Sequence, residues 1–264
     1  MPRSFALVTG ASSGIGLALA NELAIRGYDL AICANGERLK GAAEQLRAAG
    51  AEVLEVTAHL GTREGVEKLW KEVTATGRDI DIVCLNAGVG AGGLFAETSL
   101  DLELESVNLN CRGVVHLAKY VVQHMTKKNS GRILFTTSIA GEMVAPRQAV
   151  YAATKAFDLS LAQSIRYELR DTNITVTALQ PGPTDTDFFH RAGIENTVVG
   201  SEGKKDSSPQ DVAKQGIEAL LEGKDHVYAA SLKTKVEGML VGVAPGAVQG
   251  AIYEKISKPK AAGS

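Results

Sequence analysis

The chain has 264 residues, of which 45% are hydrophobic and 22% charged, with a formal net charge of -2. A chain of this size buries a full core as one α/β domain. The near-neutral balance gives no electrostatic reason to expect nucleic acid or an anionic membrane as partner. Cys33, Cys84 and Cys111 are odd in number and form no Cys-x-x-Cys pair. They read as reduced, buried thiols, which fits a cytoplasmic location, and no metal site is expected. The apolar run that starts at Phe5 leaves no room for a signal peptide. No stretch reaches the roughly 18 apolar residues that a transmembrane helix needs.

Short apolar runs alternate with longer amphipathic ones. Phe5 to Thr9 reads as a buried strand ending in Gly10. Gly14 to Arg26 has helical spacing, stopped by Gly27. Leu30 to Ala34 is a second strand, Glu37 to Ala49 a helix, and Val53 to Val56 a third strand. Thr62 to Thr76 is a helix with Thr62 as a plausible N-cap. Ile80 to Leu85 is a fourth strand, followed by the glycine-rich stretch Gly88 to Gly93. Leu102 to Lys127 is a long helix, Arg132 to Thr137 a fifth strand, Val150 to Arg170 another long helix and Ile174 to Leu179 a sixth strand. Phe188 to Ser208 is a candidate lid, because a connection of about twenty residues exceeds the usual length. Pro209 to Glu222 is a helix and His226 to Ala229 a short seventh strand.

This alternation predicts a single Rossmann-type doubly wound α/β domain, with a mostly parallel, seven-stranded sheet flanked by helices. Residues 1–231 form the catalytic unit. Residues 232–264 read as a helical extension, interrupted at Pro245-Gly246, basic at its end, and packed on the same domain or on a partner subunit. Contact with a membrane surface is the alternative for this tail.

The first strand runs into Thr9-Gly10-Ala11-Ser12-Ser13-Gly14-Ile15-Gly16. Glycines there let the backbone turn tightly and approach a pyrophosphate, which sits at the helix N-terminus. Strand, glycine turn and helix in that order are the context a dinucleotide site requires. An acidic residue at the end of the second strand would accept the ribose 2′-OH of NAD and repel a 2′-phosphate. Ala34 and Asn35 stand there instead, and Arg38 follows. Asn35 can donate to a phosphate and Arg38 can pair with one, although a solvated surface charge is an equal reading for Arg38. The balance favours NADP(H) over NAD(H).

Ser138 follows the fifth strand, at the end where ligands sit in open α/β sheets. Tyr151 comes thirteen residues later and Lys155 four beyond that, on the same helical face. A free tyrosine holds its proton up to a pH of about 10. A neighbouring ammonium favours the phenolate and makes the group usable as an acid or base. Ser138 can hydrogen-bond the oxygen of the substrate.

With these residues the chain resembles the short-chain dehydrogenase/reductase family over roughly Phe5 to Ala229. The resemblance rests on Thr9-Gly10-x-x-x-Gly14-x-Gly16, Asn86-Ala87-Gly88, Asn110, Ser138, Tyr151-x-x-x-Lys155 and Pro181-Gly182, in the family's order. It implies that Tyr151 exchanges a proton with a carbonyl/alcohol oxygen, that Lys155 assists it and holds the nicotinamide ribose, and that Ser138 orients the substrate. It implies that Asn110 holds a water behind Lys155. Asn108 competes for that role, but Asn110 puts the following Cys111 to Lys119 in better register. Among cofactor contacts it implies Gly10, Ser12, Ser13, Gly14, Ile15 and Gly16 at the first turn, Asn86, Ala87 and Gly88 by the adenine ribose, and Pro181, Gly182 and Thr184 facing the nicotinamide carboxamide. Thr186 would touch the pyrophosphate. Where the family often has an Asp against the adenine amino group, this chain has His59 and then Leu60; His59 could stack or accept a bond. Neither Ser13 nor Asn35 is basic, unlike many NADP-preferring members, and Leu85-Asn86 replaces the usual double Asn.

The resemblance also implies a homodimer or homotetramer through the faces around Leu104 to Val122 and Ala152 to Leu169. A substrate pocket is expected between Gly90 to Phe95, Ala140 to Arg147 and the Phe188 to Ser208 loop, with Met143, Val144, Phe188 and Phe189 making it partly apolar. The leading reading is an oxidoreductase acting on a carbonyl/alcohol pair. A nucleotide-binding sensor with the same fold and little turnover, and an isomerase or dehydratase using the same tyrosine, are the alternatives.

Overall fold

The computed structural model describes residues 3–198, 207–229 and 245–258. Its centre is a seven-stranded sheet in the order β3-β2-β1-β4-β5-β6-β7, with every paired neighbour parallel. The strands are β1 (Phe5–Thr9), β2 (Asp29–Ala34), β3 (Val53–Thr57), β4 (Ile82–Leu85), β5 (Gly131–Thr136), β6 (Ile174–Pro181) and β7 (His226–Ala229). Strand order reverses beside β1, between β2 and β4, and this opens a crevice at the carboxyl ends of the strands. The expected doubly wound architecture is therefore the observed one.

Each central strand feeds both layers, because successive side chains point to opposite faces. Phe5 and Leu7 of β1 and Ala31 and Cys33 of β2 enter one core. Ala6, Val8, Leu30 and Ile32 enter the other. The first core is closed by α3 (Arg63–Thr74), α5 (Val114–Lys128) and α6 (Ala149–Glu168). The second is closed by α1 (Gly14–Ile25), α2 (Arg38–Ala48) and α8 (Pro209–Leu221). A fully buried leucine or isoleucine in such layers contributes about 1.5–3 kcal/mol relative to an exposed one. Thr62 caps α3, its side chain accepting a hydrogen bond from Gly65 N, and Ser208 caps α8 in the same way through Asp211 N.

The long helix expected over Leu102 to Lys127 is not continuous. It consists of α4 (Leu100–Val107), a π-helical turn over Asn108–Gly113, and α5. Two contacts account for the widened turn. Asn110 is fully buried and tied to a neighbouring loop, and Gly113 packs so closely on the carbonyl of Leu60 that a Cβ would overlap it. Such turns mark functional regions of helices. Two other boundaries move. β4 begins at Ile82, and β6 runs on to Pro181, where its last residues still pair with β7.

The expected lid begins with one helical turn, α7 (Phe188–Arg191), and its part beyond residue 198 lies outside the described residues up to 207. Most of the expected C-terminal extension, 232–244 and 259–264, also lies outside them. The remainder forms α9 (Gly246–Ser257), whose Tyr253 and Ile256 pack with Ala140, Ala145, Met143, Tyr151 and Ala152. Among the described residues no helix is long and apolar enough to cross a membrane.

Candidate active site

A cavity of about 560 Å³ opens at the carboxyl ends of β1, β4, β5 and β6. Its size suits a small-molecule or cofactor site. The glycine turn forms one end: Gly10, Ser12, Ser13, Gly14, Ile15 and Gly16 all line it. Gly10 has φ +68°, a conformation that favours glycine, and a Cβ there would lie 2.9 Å from Ala87 Cα. A Cβ on Gly16 would run into the carbonyl oxygen of Gly10. The turn thus folds flat against β4, leaving the N-terminus of α1 facing the cavity with no side-chain cap of its own. Free N–H groups at such an end suit a phosphate.

Thr9 locks this floor. Its hydroxyl donates to Cys84 O and accepts from Asn86 N at 2.9 Å and Ala87 N at 3.1 Å. The side chain of Asn86 donates back to Thr9 O at 3.0 Å. Asn86, Ala87 and Gly88 line the cavity as a result.

Asn35 also lines the cavity, whereas Arg38 stands outside its wall, exposed and paired with Asp187 at 2.5 Å. The pair holds the Asp187 carboxyl below the ordinary range, through the Arg38 hydrogen bond first. Arg191 of α7 lines the cavity and was not singled out from the sequence. At the adenine end expected from the sequence, His59 and Leu60 line the wall together with Glu105. Of the two roles expected for His59, stacking or accepting a bond, the second meets partners within the chain. Its Nδ1 already accepts from Gly61 N at 3.1 Å, and its Nε2 lies 3.2 Å from Glu105 Oε1. The Glu105 carboxylate thus stands beside His59 at this wall, a pairing that no spacing in the sequence reveals.

The other end holds Ser138, Tyr151 and Lys155 in one wall. Ser138 leaves β5 in extended conformation, and its Oγ accepts from Ala140 N at 3.2 Å. The ring of Tyr151 meets Phe188 at 5.0 Å between centroids. Lys155 is only 4% exposed, and its Nζ donates to Thr136 O at 2.9 Å and Asp158 Oδ2 at 3.1 Å. Burial disfavours its ammonium, but the charges of Asp158 and Tyr151 and the Asp158 hydrogen bond outweigh that, and the Lys155 pKa is raised. Tyr253 borders the same space, and burial above all pushes its phenol far up, so it stays protonated.

Asn110 is not part of the wall. It sits behind it, its Oδ1 accepting from Val89 N and its Nδ2 donating to Val89 O and to Thr154 Oγ1. Both Nδ2 protons are used, and the side chain holds Val89 and α6 in place. Pro181, Gly182, Thr184 and Thr186 do line the cavity, and Thr184 Oγ1 donates to Gly182 O. The expected contribution of Gly90 to Phe95 is corrected in part. Gly90 packs directly against the Tyr151 and Phe188 rings, whereas Gly92 N bonds Ala192 O, Gly93 N bonds Arg147 O, and Leu94 and Phe95 face outward. Val144 packs on α9 rather than on the cavity. Met143, Phe188 and Phe189 line it as expected, joined by Ile252, Tyr253 and Ile256. Among the described residues no group of three His, Cys, Asp or Glu side chains could hold a metal ion.

The short chain dehydrogenase family profile matches residues 4–196. The chain is 36% identical over 230 residues to the 1-deoxy-11-beta-hydroxypentalenate dehydrogenase of Streptomyces exfoliatus, covering 86% of this chain and 82% of that one. It is 34% identical over 219 residues to glycine betaine reductase of Emericella nidulans, a match that covers 81% of this chain but only 17% of that protein's length. Among solved structures, a short-chain dehydrogenase from Sphingobium yanoikuyae in complex with NADPH superposes with a TM-score of 0.80 at 27% identity, over 98% of both chains. An enzyme from Burkholderia phymatum in complex with NAD shares the fold with a TM-score of 0.82 at 24% identity, over 99% of this chain and 98% of that one.

Proposed function

The chain belongs to the short-chain dehydrogenase/reductase family and is an NAD(P)-dependent oxidoreductase; from this premise we propose that it interconverts a carbonyl and a secondary alcohol on a medium-sized apolar molecule, with NADP(H) as preferred cofactor. The observation that carries the reading is a single cavity with the glycine turn at one end and Ser138, Tyr151 and Lys155 at the other.

The cavity fits the cofactor. The turn that a Cβ at Gly10 or Gly16 would block is shaped for close backbone approach to a pyrophosphate. Ser12, Ser13 and Ile15 join it there, and Thr186 closes on it from the side of β6. Asn86, Ala87, Gly88 and Leu60 would border the adenosine, with Glu105 as acceptor for the adenine amino group. Pro181, Gly182 and Thr184 would face the carboxamide. The absence of a carboxylate at Ala34-Asn35 supports NADP(H), with Asn35 donating to the 2′-phosphate and Arg38 released from Asp187 to pair with it. When bound, the nicotinamide supplies or accepts the hydride at the substrate carbon.

Tyr151 gives its proton to the carbonyl oxygen in reduction and takes it from the hydroxyl in oxidation. Lys155, held charged in the wall, favours the phenolate and so eases that exchange. Ser138 donates to the same oxygen and fixes its position. Asn110 holds Val89 and α6 in register behind Lys155. Met143, Phe188, Phe189 and Tyr253 exclude water and favour an apolar substrate. The exposed apolar side chains of Leu100, Leu104, Val107, Val115 and Phe157 support pairing of two copies through α4, α5 and α6.

The test is a panel of ketones, aldehydes and secondary alcohols, with NADPH and NADH side by side, followed by absorbance of the reduced nicotinamide. Turnover with NADPH favoured, and a loss of about 10²–10⁴-fold in Tyr151→Phe, is the expected result. Turnover without net change in that absorbance would point to an isomerase or dehydratase. Cofactor binding without any turnover would point to a nucleotide sensor.

A further inference from the structure

Asp158 follows Lys155 by three residues and Tyr151 by seven, so all three share one face of α6. It is 2% exposed and Lys155 4%. Its Oδ2 accepts from Lys155 Nζ at 3.1 Å, while its buried Oδ1 has no hydrogen-bond partner among the described residues. Stability does not explain such a pair. Taking both charges out of water costs several kcal/mol per ion, and apolar residues of similar volume are often as stable or more so. What the pair does provide is a fixed ammonium. Lys155 Nζ has three protons. One goes to Thr136 O and one to Asp158, which leaves the third for the cavity it lines.

We propose that Asp158 is a positioning residue for the reaction: its carboxylate holds the Lys155 ammonium charged and in place, and thereby sets the proton affinity of the Lys155–Tyr151 couple. The inference rests on the reading of Tyr151 given above. The other titratable groups around the couple are few. Cys111 of the π-helical turn lies near both Lys155 and Asp158, and Tyr253 of α9 lies near Tyr151. Both are neutral across the working range, because burial pushes the Cys111 thiol up to about 11 and the Tyr253 phenol further still. Burial pushes the Asp158 pKa up, against the opposing pull of the Lys155 charge and hydrogen bond; with the ammonium 3.1 Å from its Oδ2, the carboxylate of Asp158 is the negative charge that faces Lys155 from its own helix.

The sign follows from charge alone. Removing a negative charge makes the ammonium easier to deprotonate and the phenol easier to ionise. Both effects lower the pH at which the couple loses the proton needed for carbonyl reduction. In Asp158→Asn the alkaline limb of kcat/KM for NADPH-dependent reduction, measured on the best carbonyl of the panel, should fall by about 1–3 pH units, the usual effect of an opposite charge at this range. Asp158→Glu should restore the limb toward its original position. Asp158→Leu removes the charge without burying an amide, and serves if the Asn variant does not accumulate. A second readout needs neither substrate nor cofactor. The phenolate absorbance of Tyr151, isolated by subtracting Tyr151→Phe, should be displaced in Asp158→Asn. A purely structural role would lower Tm, and activity at every pH, without moving the limb, and a limb that stays in place overturns the proposal. If Tyr151→Phe itself retains full turnover, the reading of Tyr151 has failed, and this inference falls with it.

Discussion

Replacing Thr9 by valine tests whether one hydroxyl holds the floor of the nucleotide end. The substitution keeps the β-branched shape and removes Oγ1, which bonds Cys84 O, Asn86 N and Ala87 N. Valine can neither donate nor accept, so two N–H groups at the end of β4 lose their partner. Each buried donor left unmade costs about 1–3 kcal/mol. Asn86 and Ala87 are half-buried, so water replaces part of the loss, and the total should be about 2–4 kcal/mol. For a chain of this size that corresponds to a fall in Tm of roughly 5–15 °C. The measurement is thermal unfolding of the wild type, Thr9→Val and Thr9→Ser, paired with NADPH titration by nucleotide fluorescence. Serine keeps the oxygen and should retain most of the stability. The valine variant should also bind NADPH more weakly, since Asn86 to Gly88 line the same cavity. An unchanged Tm together with an unchanged Kd would refute the argument, and would leave close packing of the glycines as the sole support of the turn.

Two further outcomes follow from the same geometry. In Gly16→Ala the new Cβ would lie 2.5 Å from Asn86 Nδ2, which is tied to Thr9 O, and would collide with the backbone oxygen of Gly10. Overpacking of this kind costs about 1–3 kcal/mol, so NADPH affinity should fall by about tenfold or more, with the fold retained by circular dichroism. Asp29 accepts from Glu52 N and Arg78 Nη2 at the amino-terminal edge of the sheet. Burial raises its pKa, but those bonds and the charges of Arg78 and Arg3 lower it by more, and the net direction is down from 3.8. A depressed folded pKa means that the stabilisation is complete above the unfolded value of about 4 and is lost as pH falls through the folded one. Asp29→Asn should therefore be less stable at neutral pH and lose less on acidification; equal acid sensitivity of the two chains in urea titrations would contradict this.

The apolar runs and glycine turns of this sequence determined the sheet, because strand and helix periodicity follow from backbone geometry and need no partner. Ser138, Tyr151 and Lys155 were legible for a related reason: their spacing on one strand end and one helix already fixes their common side. Asp158 was equally open to that logic, three residues past Lys155, but only burial distinguishes it from an ordinary surface carboxylate. Tertiary structure alone decided the rest. It interrupted the long helix at Asn108–Gly113, where Asn110 is tied to Val89 and Gly113 is pressed on Leu60. It brought Tyr253 from α9 against Tyr151, more than a hundred residues away in the chain, and set Glu105 beside His59 and Asp187 opposite Arg38. Those pairings come from different elements meeting at the mouth of one crevice. Local propensity acts over a turn or two and carries no information about which distant side chains the packed layers will bring together.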